Sequence, residues 1–67
     1  MTKTAKELKM LRIKHEVSQE YLAQQLGVTK ASYSRKENGK ITFSLEDVKK
    51  LKKVFKLTTE EVEKIFF

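Results

Sequence analysis

The chain has 67 residues, enough for one small domain, and a domain of this size buries only about 60% of the surface that its unfolded chain exposes. It has no cysteine and a single histidine, which excludes disulfides and predicts no metal site built from these ligands. The net charge is +6, and residues 1–43 hold nine basic and four acidic groups, so the excess suits a polyanionic partner such as nucleic acid.

Apolar residues occur only in short runs, which predicts no membrane-spanning segment and no signal peptide. The absence of cysteine favours a reducing cytosol, so the expected location is cytoplasmic and nucleoid-associated. Neither paired catalytic groups nor a phosphate-binding loop is present in the sequence. We therefore predict no enzymatic activity, no cofactor and no small-molecule ligand.

Helical spacing of apolar residues, the absence of proline and only two glycines predict an all-α domain with five helices. Thr4 and Glu7 stand three residues apart and predict a capping box, so the first helix is expected from about Ala5 to Lys14. The later helices are each preceded by a residue that favours the N-cap position, in chain order Ser18, Thr29, Ser44 and Thr58.

Glycine marks the ends of the two central helices. Gly27 closes the second helix, and Asn38-Gly39 ends a third helix over residues 30–37. The apolar stripe expected on the fourth helix consists of Leu45, Val48, Leu51 and Phe55. The residues expected to face inward on the fifth helix are Val62, Ile65 and Phe66.

The link between the two central helices, LGVT at residues 26–29, is too short for an antiparallel hairpin and predicts a helix-turn-helix. The stretch SQEYLAQQLGVTKASYSRKENGK, residues 18–40, resembles the helix-turn-helix of the Cro and phage-repressor-like (XRE) family. The matching positions are Ser18-Gln19, Leu22-Ala23, Leu26-Gly27-Val28, Thr29, Ser34 and Glu37-Asn38-Gly39, with Leu11-Arg12 in the first helix.

This resemblance implies a compact five-helix, lambda-repressor-like domain over residues 1–67, with the helix-turn-helix at about 18–38. It also implies sequence-specific binding of double-stranded DNA by a small bacterial or phage transcriptional regulator, a repressor, that inserts the helix of residues 30–37 into the major groove. A protein-interaction module such as an antitoxin, which binds a partner protein through a retained helix-turn-helix, is the alternative. A general RNA binder is a third reading, but it would need exposed aromatic residues for base stacking.

The resemblance assigns roles to individual residues. Those expected to contact base edges are Lys30, Ala31, Ser34 and Arg35, because arginine and lysine can donate to guanine O6 and N7. Those expected to contact backbone phosphates are Gln19, Asn38, Lys40 and Thr42, with Ser44 a further candidate, and Lys36 is added to them from its expected exposure and not from the resemblance.

Four residues are expected to support the fold. Ala23 must be small where the third helix crosses it, and Gly27 needs a positive φ. The resemblance implies that Arg12 and Glu37 form a partly buried ion pair between the first and third helices.

Two positions depart from the family pattern. Tyr33 replaces an aliphatic core residue, and its ring can fill that space if the hydroxyl reaches water or a partner. Lys36 replaces an apolar residue, and we expect it to be exposed and to face phosphate.

The sequence ends in IFF, and Phe66 and Phe67 cannot both be buried in so small a domain. One of them is expected at a subunit contact, which predicts a homodimer on an inverted-repeat operator.

Overall fold

A computed structural model describes residues 3–67, which form five α-helices with no strand among them. The helices are α1 (Lys3–Lys14), α2 (Gln19–Leu26), α3 (Lys30–Glu37), α4 (Leu45–Phe55) and α5 (Thr59–Phe66). The predicted all-α, five-helix fold is therefore confirmed. The first two positions of the predicted domain, residues 1–2, lie outside the described residues.

Four of the five helices begin where the capping residues predicted. In each, the side-chain oxygen of the N-cap accepts a hydrogen bond from a backbone N–H of the first turn, and the four caps are Ser18, Thr29, Ser44 and Thr58. The caps at Ser44 and Thr58 are complete capping boxes, in which Asp47 and Glu61 accept from the cap backbone in return. These local hydrogen bonds set the start of each helix independently of its packing.

The predicted capping box at Thr4 is wrong. Helix α1 begins at Lys3, so Thr4 lies inside the helix, and its hydroxyl donates a hydrogen bond of 2.8 Å to the carbonyl oxygen of Ile65. This bond joins α1 to the last turn of α5. The Thr4 hydroxyl therefore makes a tertiary contact and does not cap the start of α1.

The core lies where α1 packs on α3 and α5, and where α2 packs on α3 and α4. Each of the first four helices contributes one large apolar side chain that is fully buried, and in chain order these are Leu8, Leu22, Tyr33 and Leu51. The result is a scaffold in which α3 is supported from behind by α1 and α2.

The inward stripe of α4 differs from the prediction at its first residue. Val48, Leu51 and Phe55 are buried, but Leu45 is 70% exposed. At about 100° per residue, Leu45 lies about 90° around the helix from the middle of the other three, so it faces away from the core. Leu57, which the sequence pattern did not indicate, is buried after the left-handed C-cap residue Lys56.

The two terminal phenylalanines divide as expected. Phe66 is partly buried, with its ring centroid 5.8 Å from that of Phe43, whereas Phe67 is 79% exposed. The prediction that both cannot enter the core is confirmed.

Tyr33 occupies the core position expected of it, but its hydroxyl does not reach solvent. The residue is fully buried, and among the described residues its Oη has no hydrogen-bond partner. Burial, and then the nearby Glu37 carboxylate, raise the pKa of Tyr33 far above its ordinary value, so the phenol stays neutral.

We expect Tyr33→Phe to leave the free energy of unfolding unchanged or to raise it by up to about 1 kcal/mol, because the unpaired hydroxyl is removed. The ring contact with Phe43, 6.3 Å between centroids, is retained. Tyr33→Ala, which also removes the ring, is expected to cost about 3–5 kcal/mol. Urea unfolding of the three proteins measures both effects. A loss of more than about 1 kcal/mol in Tyr33→Phe would show that the hydroxyl is satisfied in solution, for example by a buried water.

Candidate nucleic-acid interface

The turn between α2 and α3 is set by a single left-handed residue. Gly27 has φ 71°, and its N–H donates to the carbonyl oxygens of Ala23 and Gln24 at the end of α2. A Cβ at Gly27 would meet nothing within 4 Å, so it is the left-handed backbone conformation and not a lack of space that favours glycine there. Only Val28 separates Gly27 from the N-cap Thr29, which fixes the direction of α3 relative to α2.

Ala23 of α2 lies in the core that α2 and α3 share. Ala23 is 2% exposed and belongs to the core cluster together with Tyr33 of α3. A larger side chain at this position would have to displace a core residue, because protein interiors are close-packed. The sequence-based roles of Ala23 and Gly27 therefore match the geometry of the turn.

Arg12 and Glu37 form the expected ion pair between α1 and α3. Arg12 Nε lies 3.0 Å from Glu37 Oε2, and the two side chains are 16% and 1% exposed. Arg12 Nη1 also donates to the carbonyl oxygen of Val17, and Gln19 Nε2 donates to Glu37 Oε1 at 3.4 Å. This network ties the end of α3 to α1 and to the start of α2.

The opposite face of α3 is polar and open. Lys30, Ala31 and Arg35 are exposed, and Ser34 is half-buried. Among residues 3–67, neither Lys30 nor Arg35 has a salt-bridge partner, so both charges are available to an external anion. The four predicted base-contacting residues thus share one accessible helix.

The segment after α3 folds back onto it. The carbonyl oxygen of Arg35 accepts hydrogen bonds from the backbone N–H groups of Lys40 and Ile41, at 2.8 and 3.3 Å. Asn38, Lys40 and Thr42 are exposed along this segment. Three of the predicted phosphate-contacting residues therefore lie together beside the last turn of α3.

Gln19 lies on the other side of α3, in an open depression between α1, α2 and the start of α3. The residues lining this depression are Lys9, Arg12, Ser18, Gln19, Glu20 and Lys30. Gln19 is half-buried with one amide N–H directed at Glu37. Lys9 was not singled out from the sequence, although it precedes Arg12 by three residues and so shares a face of α1 with it.

The expectation for Lys36 is wrong. Its side chain is only 13% exposed and is ion-paired with Asp47 of α4, so it does not face a phosphate. Asp47 completes the capping box with Ser44, and its carboxylate also faces Lys36 of α3. The aliphatic stem of a lysine can line a core while its ammonium meets an acid at the edge.

The environment of Asp47 favours its ionised form. Burial by itself raises the pKa of the carboxyl, but hydrogen bonds from Lys36 and from the Ser44 backbone outweigh it, so the pKa is lower than usual. Because the pKa is lower in the folded than in the unfolded chain, this carboxylate stabilises the fold above about pH 4. That contribution is lost as the pH falls through the folded-state value.

None of the helices in the described part of the chain is long and apolar enough to cross a membrane. Over residues 3–67, no group of three or more potential ligands from His, Cys, Asp and Glu is placed to hold a metal ion.

Two short helices joined at a left-handed glycine, with the second helix exposing a polar and cationic face, define a helix-turn-helix protein. The helix-turn-helix family model matches residues 8–62, which is most of the chain. The chain therefore belongs to the Cro/C1-type helix-turn-helix (XRE) family, a family of DNA-binding domains that regulate transcription. Neither a curated protein nor a solved structure matches the chain significantly.

Proposed function

We propose that residues 1–67 form a single domain that binds a specific sequence in double-stranded DNA and represses transcription in a bacterium or phage. The observation that supports this most directly is the outer face of α3, where Lys30 and Arg35 are exposed and unpaired among the described residues. A helix of this width fits the major groove of B-DNA. Occupation of a promoter would then block the polymerase.

We assign the contacts with base edges to side chains on the exposed side of α3. Arg35 can donate two hydrogen bonds to guanine O6 and N7, and Lys30 can donate to the same acceptors. Ser34 can donate or accept, and the methyl group of Ala31 suits the methyl group of thymine. Four side chains at this spacing would sample a few adjacent base pairs.

We assign the contacts with DNA backbone phosphates to residues on the two sides of α3. On one side, Gln19 and Lys9 border the depression next to the N-terminus of α2, whose free N–H groups favour an anion. On the other side, the segment after α3 offers Asn38, Lys40 and Thr42. Contacts on both sides would fix the register of α3 in the groove.

A homodimer is the proposed binding form. Phe67, Leu45 and Ile41 are 79%, 70% and 38% exposed, and all three line one groove of about 290 Å³ beside the end of α5. Exposed apolar residues clustered in this way are typical of a protein–protein contact. A two-fold dimer would place its α3 helices about 34–36 Å apart, on successive turns of the major groove.

The same apolar groove supports the alternative function, in which the domain is an antitoxin-like module that binds a partner protein. That reading does not need a cationic face on α3, whereas the open positions there include Lys30 and Arg35. The DNA-binding reading accounts for both surfaces.

Selection of bound sequences from a random duplex pool tests the proposal. We expect enrichment of a motif with two inverted half-sites whose centres lie about 10 base pairs apart. Lys53→Ala, which changes an exposed lysine on the far helix α4, serves as a control and should select the same motif. No enrichment would contradict sequence-specific binding, and a single half-site would contradict the dimer while leaving DNA recognition in place.

A further inference from the structure

One carboxylate oxygen connects the two ends of the segment between α3 and α4. Asp47 Oδ2 accepts a hydrogen bond from Lys36 Nζ, in the last turn of α3, and another from the backbone N–H of Ser44, the N-cap of α4, at 3.1 Å. Between these two donors, residues 38–43 follow the end of α3 at Glu37 and form the α3–α4 loop. We refer to Lys36, Ser44 and Asp47 as the loop clamp.

We propose that Asp47 is a positioning residue for DNA binding, because the loop clamp holds the α3–α4 loop in the shape that presents Asn38, Lys40 and Thr42 to the DNA backbone. This inference rests on the proposed function, since it assigns a purpose to a residue that does not itself touch DNA. It concerns Asp47 and Lys36, and neither was assigned this role from the sequence.

Backbone hydrogen bonds join the first half of the loop to α3. Gly39 N–H donates to the carbonyl oxygen of Lys36, and Lys40 and Ile41 donate to that of Arg35. In the second half, the backbone N–H groups of Thr42 and Phe43 make no backbone hydrogen bond within the described residues. The return of the chain to α4 therefore depends on the loop clamp and on the packing of the Phe43 ring.

The Lys36–Asp47 pair of the loop clamp is shielded from water, so we expect it to be stronger than an ordinary surface ion pair. The side chains of Lys36 and Asp47 are 13% and 7% exposed. Exposed ion pairs contribute little, whereas removing one member of a desolvated pair leaves an uncompensated charge. Without the carboxylate, the Lys36 ammonium would have to move toward solvent, and the ends of the loop would separate.

Helix α5 offers a matched capping box that lies away from this loop. Glu61 accepts from the backbone N–H of Thr58 at 3.0 Å, as Asp47 accepts from Ser44. Hydrogen bonds from the backbone and the side chain of Thr58 lower the pKa of Glu61. Glu61 is exposed and has no buried lysine bonded to it within residues 3–67, so Glu61→Gln changes a cap without changing the loop.

The test compares Asp47→Asn with Glu61→Gln at a temperature where unfolding curves show both to be folded. Asparagine keeps the shape of aspartate and an oxygen for Ser44, but it removes the charge opposite Lys36. We expect Asp47→Asn to weaken binding by about tenfold, by the same factor on the selected site and on an unrelated duplex. Glu61→Gln is expected to bind like the wild type, and Lys36→Arg to retain most of the affinity.

Amide hydrogen exchange in the free protein gives a second readout. In Asp47→Asn, the hydrogen-bonded amides of residues 39–41 and of Ser44 should exchange faster than in the wild type, while those of α2 and the first turn of α3 keep their rates. Glu61→Gln should leave the loop unchanged. Equal exchange of the loop in all three proteins would overturn the proposal.

A double variant distinguishes a failure of the loop-clamp proposal from a failure of the proposed function. Lys40→Ala removes a loop contact directly, so Asp47→Asn combined with Lys40→Ala should lose less affinity than the two single losses added together. If Lys40→Ala weakens binding and Asp47→Asn does not, the loop clamp is overturned and the DNA-binding proposal stands. A change of preferred bases in Asp47→Asn would also overturn it, because the effect would then act through α3. If the wild type binds no duplex, both proposals fail.

Discussion

Replacing Arg12 with methionine is expected to lower the free energy of unfolding by about 3–5 kcal/mol, because the Glu37 carboxylate, 1% exposed, would be left without its cation. A domain of this length has a total stability of only about 3–10 kcal/mol. The substitution should therefore remove a large share of that stability. Urea unfolding followed by far-ultraviolet circular dichroism measures the loss.

Two further variants show whether the effect comes from the unpaired charge. Lys9→Met changes an exposed residue on the same helix and should stay within about 0.5 kcal/mol of the wild type. Combining Arg12→Met with Glu37→Leu removes both charges, and it should recover much of the lost stability. If Arg12→Met alone unfolds within about 1 kcal/mol of the wild type, the ion pair does not carry the role assigned to it.

Replacing Arg35 with alanine is expected to cost about 1–3 kcal/mol of binding free energy on the selected site and to relax base choice at one position. The cost reflects the loss of a bidentate contact to guanine. Arg35 is exposed and has no ion-pair partner within residues 3–67, so the fold should be unaffected. Binding curves on the selected duplex and on its single-base variants measure both effects.

Lys40→Ala is the matched comparison for Arg35→Ala, because it removes one exposed cation from the adjacent loop. A phosphate contact carries no sequence information, so its loss should weaken binding by a similar factor on every duplex and reduce the salt dependence. If Arg35→Ala weakens all sequences equally, Arg35 contacts the backbone and does not read a base.

The features that could be predicted from the sequence are those fixed by neighbouring residues. Ser18 and Thr29 cap their helices through bonds to N–H groups three residues away, and Gly27 closes α2 by its own backbone freedom. Such interactions are completed within a few residues, so the sequence pattern contains all the partners involved.

The features that could not be predicted depend on distant partners. The Thr4 hydroxyl bonds to Ile65, 61 residues away, and that bond does not exist in any local pattern. Lys36 was predicted to be exposed because its ion-pair partner, Asp47, lies in the next helix. The capping box with Ser44 already explains Asp47 from neighbouring residues, so the local sequence does not indicate a second partner. Further candidates for phosphate contact, such as Lys9, can be recognised only when the helices are assembled.

Helix α3 has eight residues and buries only Tyr33 and Glu37, which is too little to hold it helical by itself. Its conformation depends on packing against the neighbouring helices, so we expect the proposed DNA-contacting face of α3 to unfold together with the rest of the domain. A duplex that engages this surface should therefore protect every part of the molecule, adding about 2.7 kcal/mol at a ligand concentration one hundred times the dissociation constant. The melting temperature thus becomes a direct assay for the operator, with no label on either the protein or the DNA.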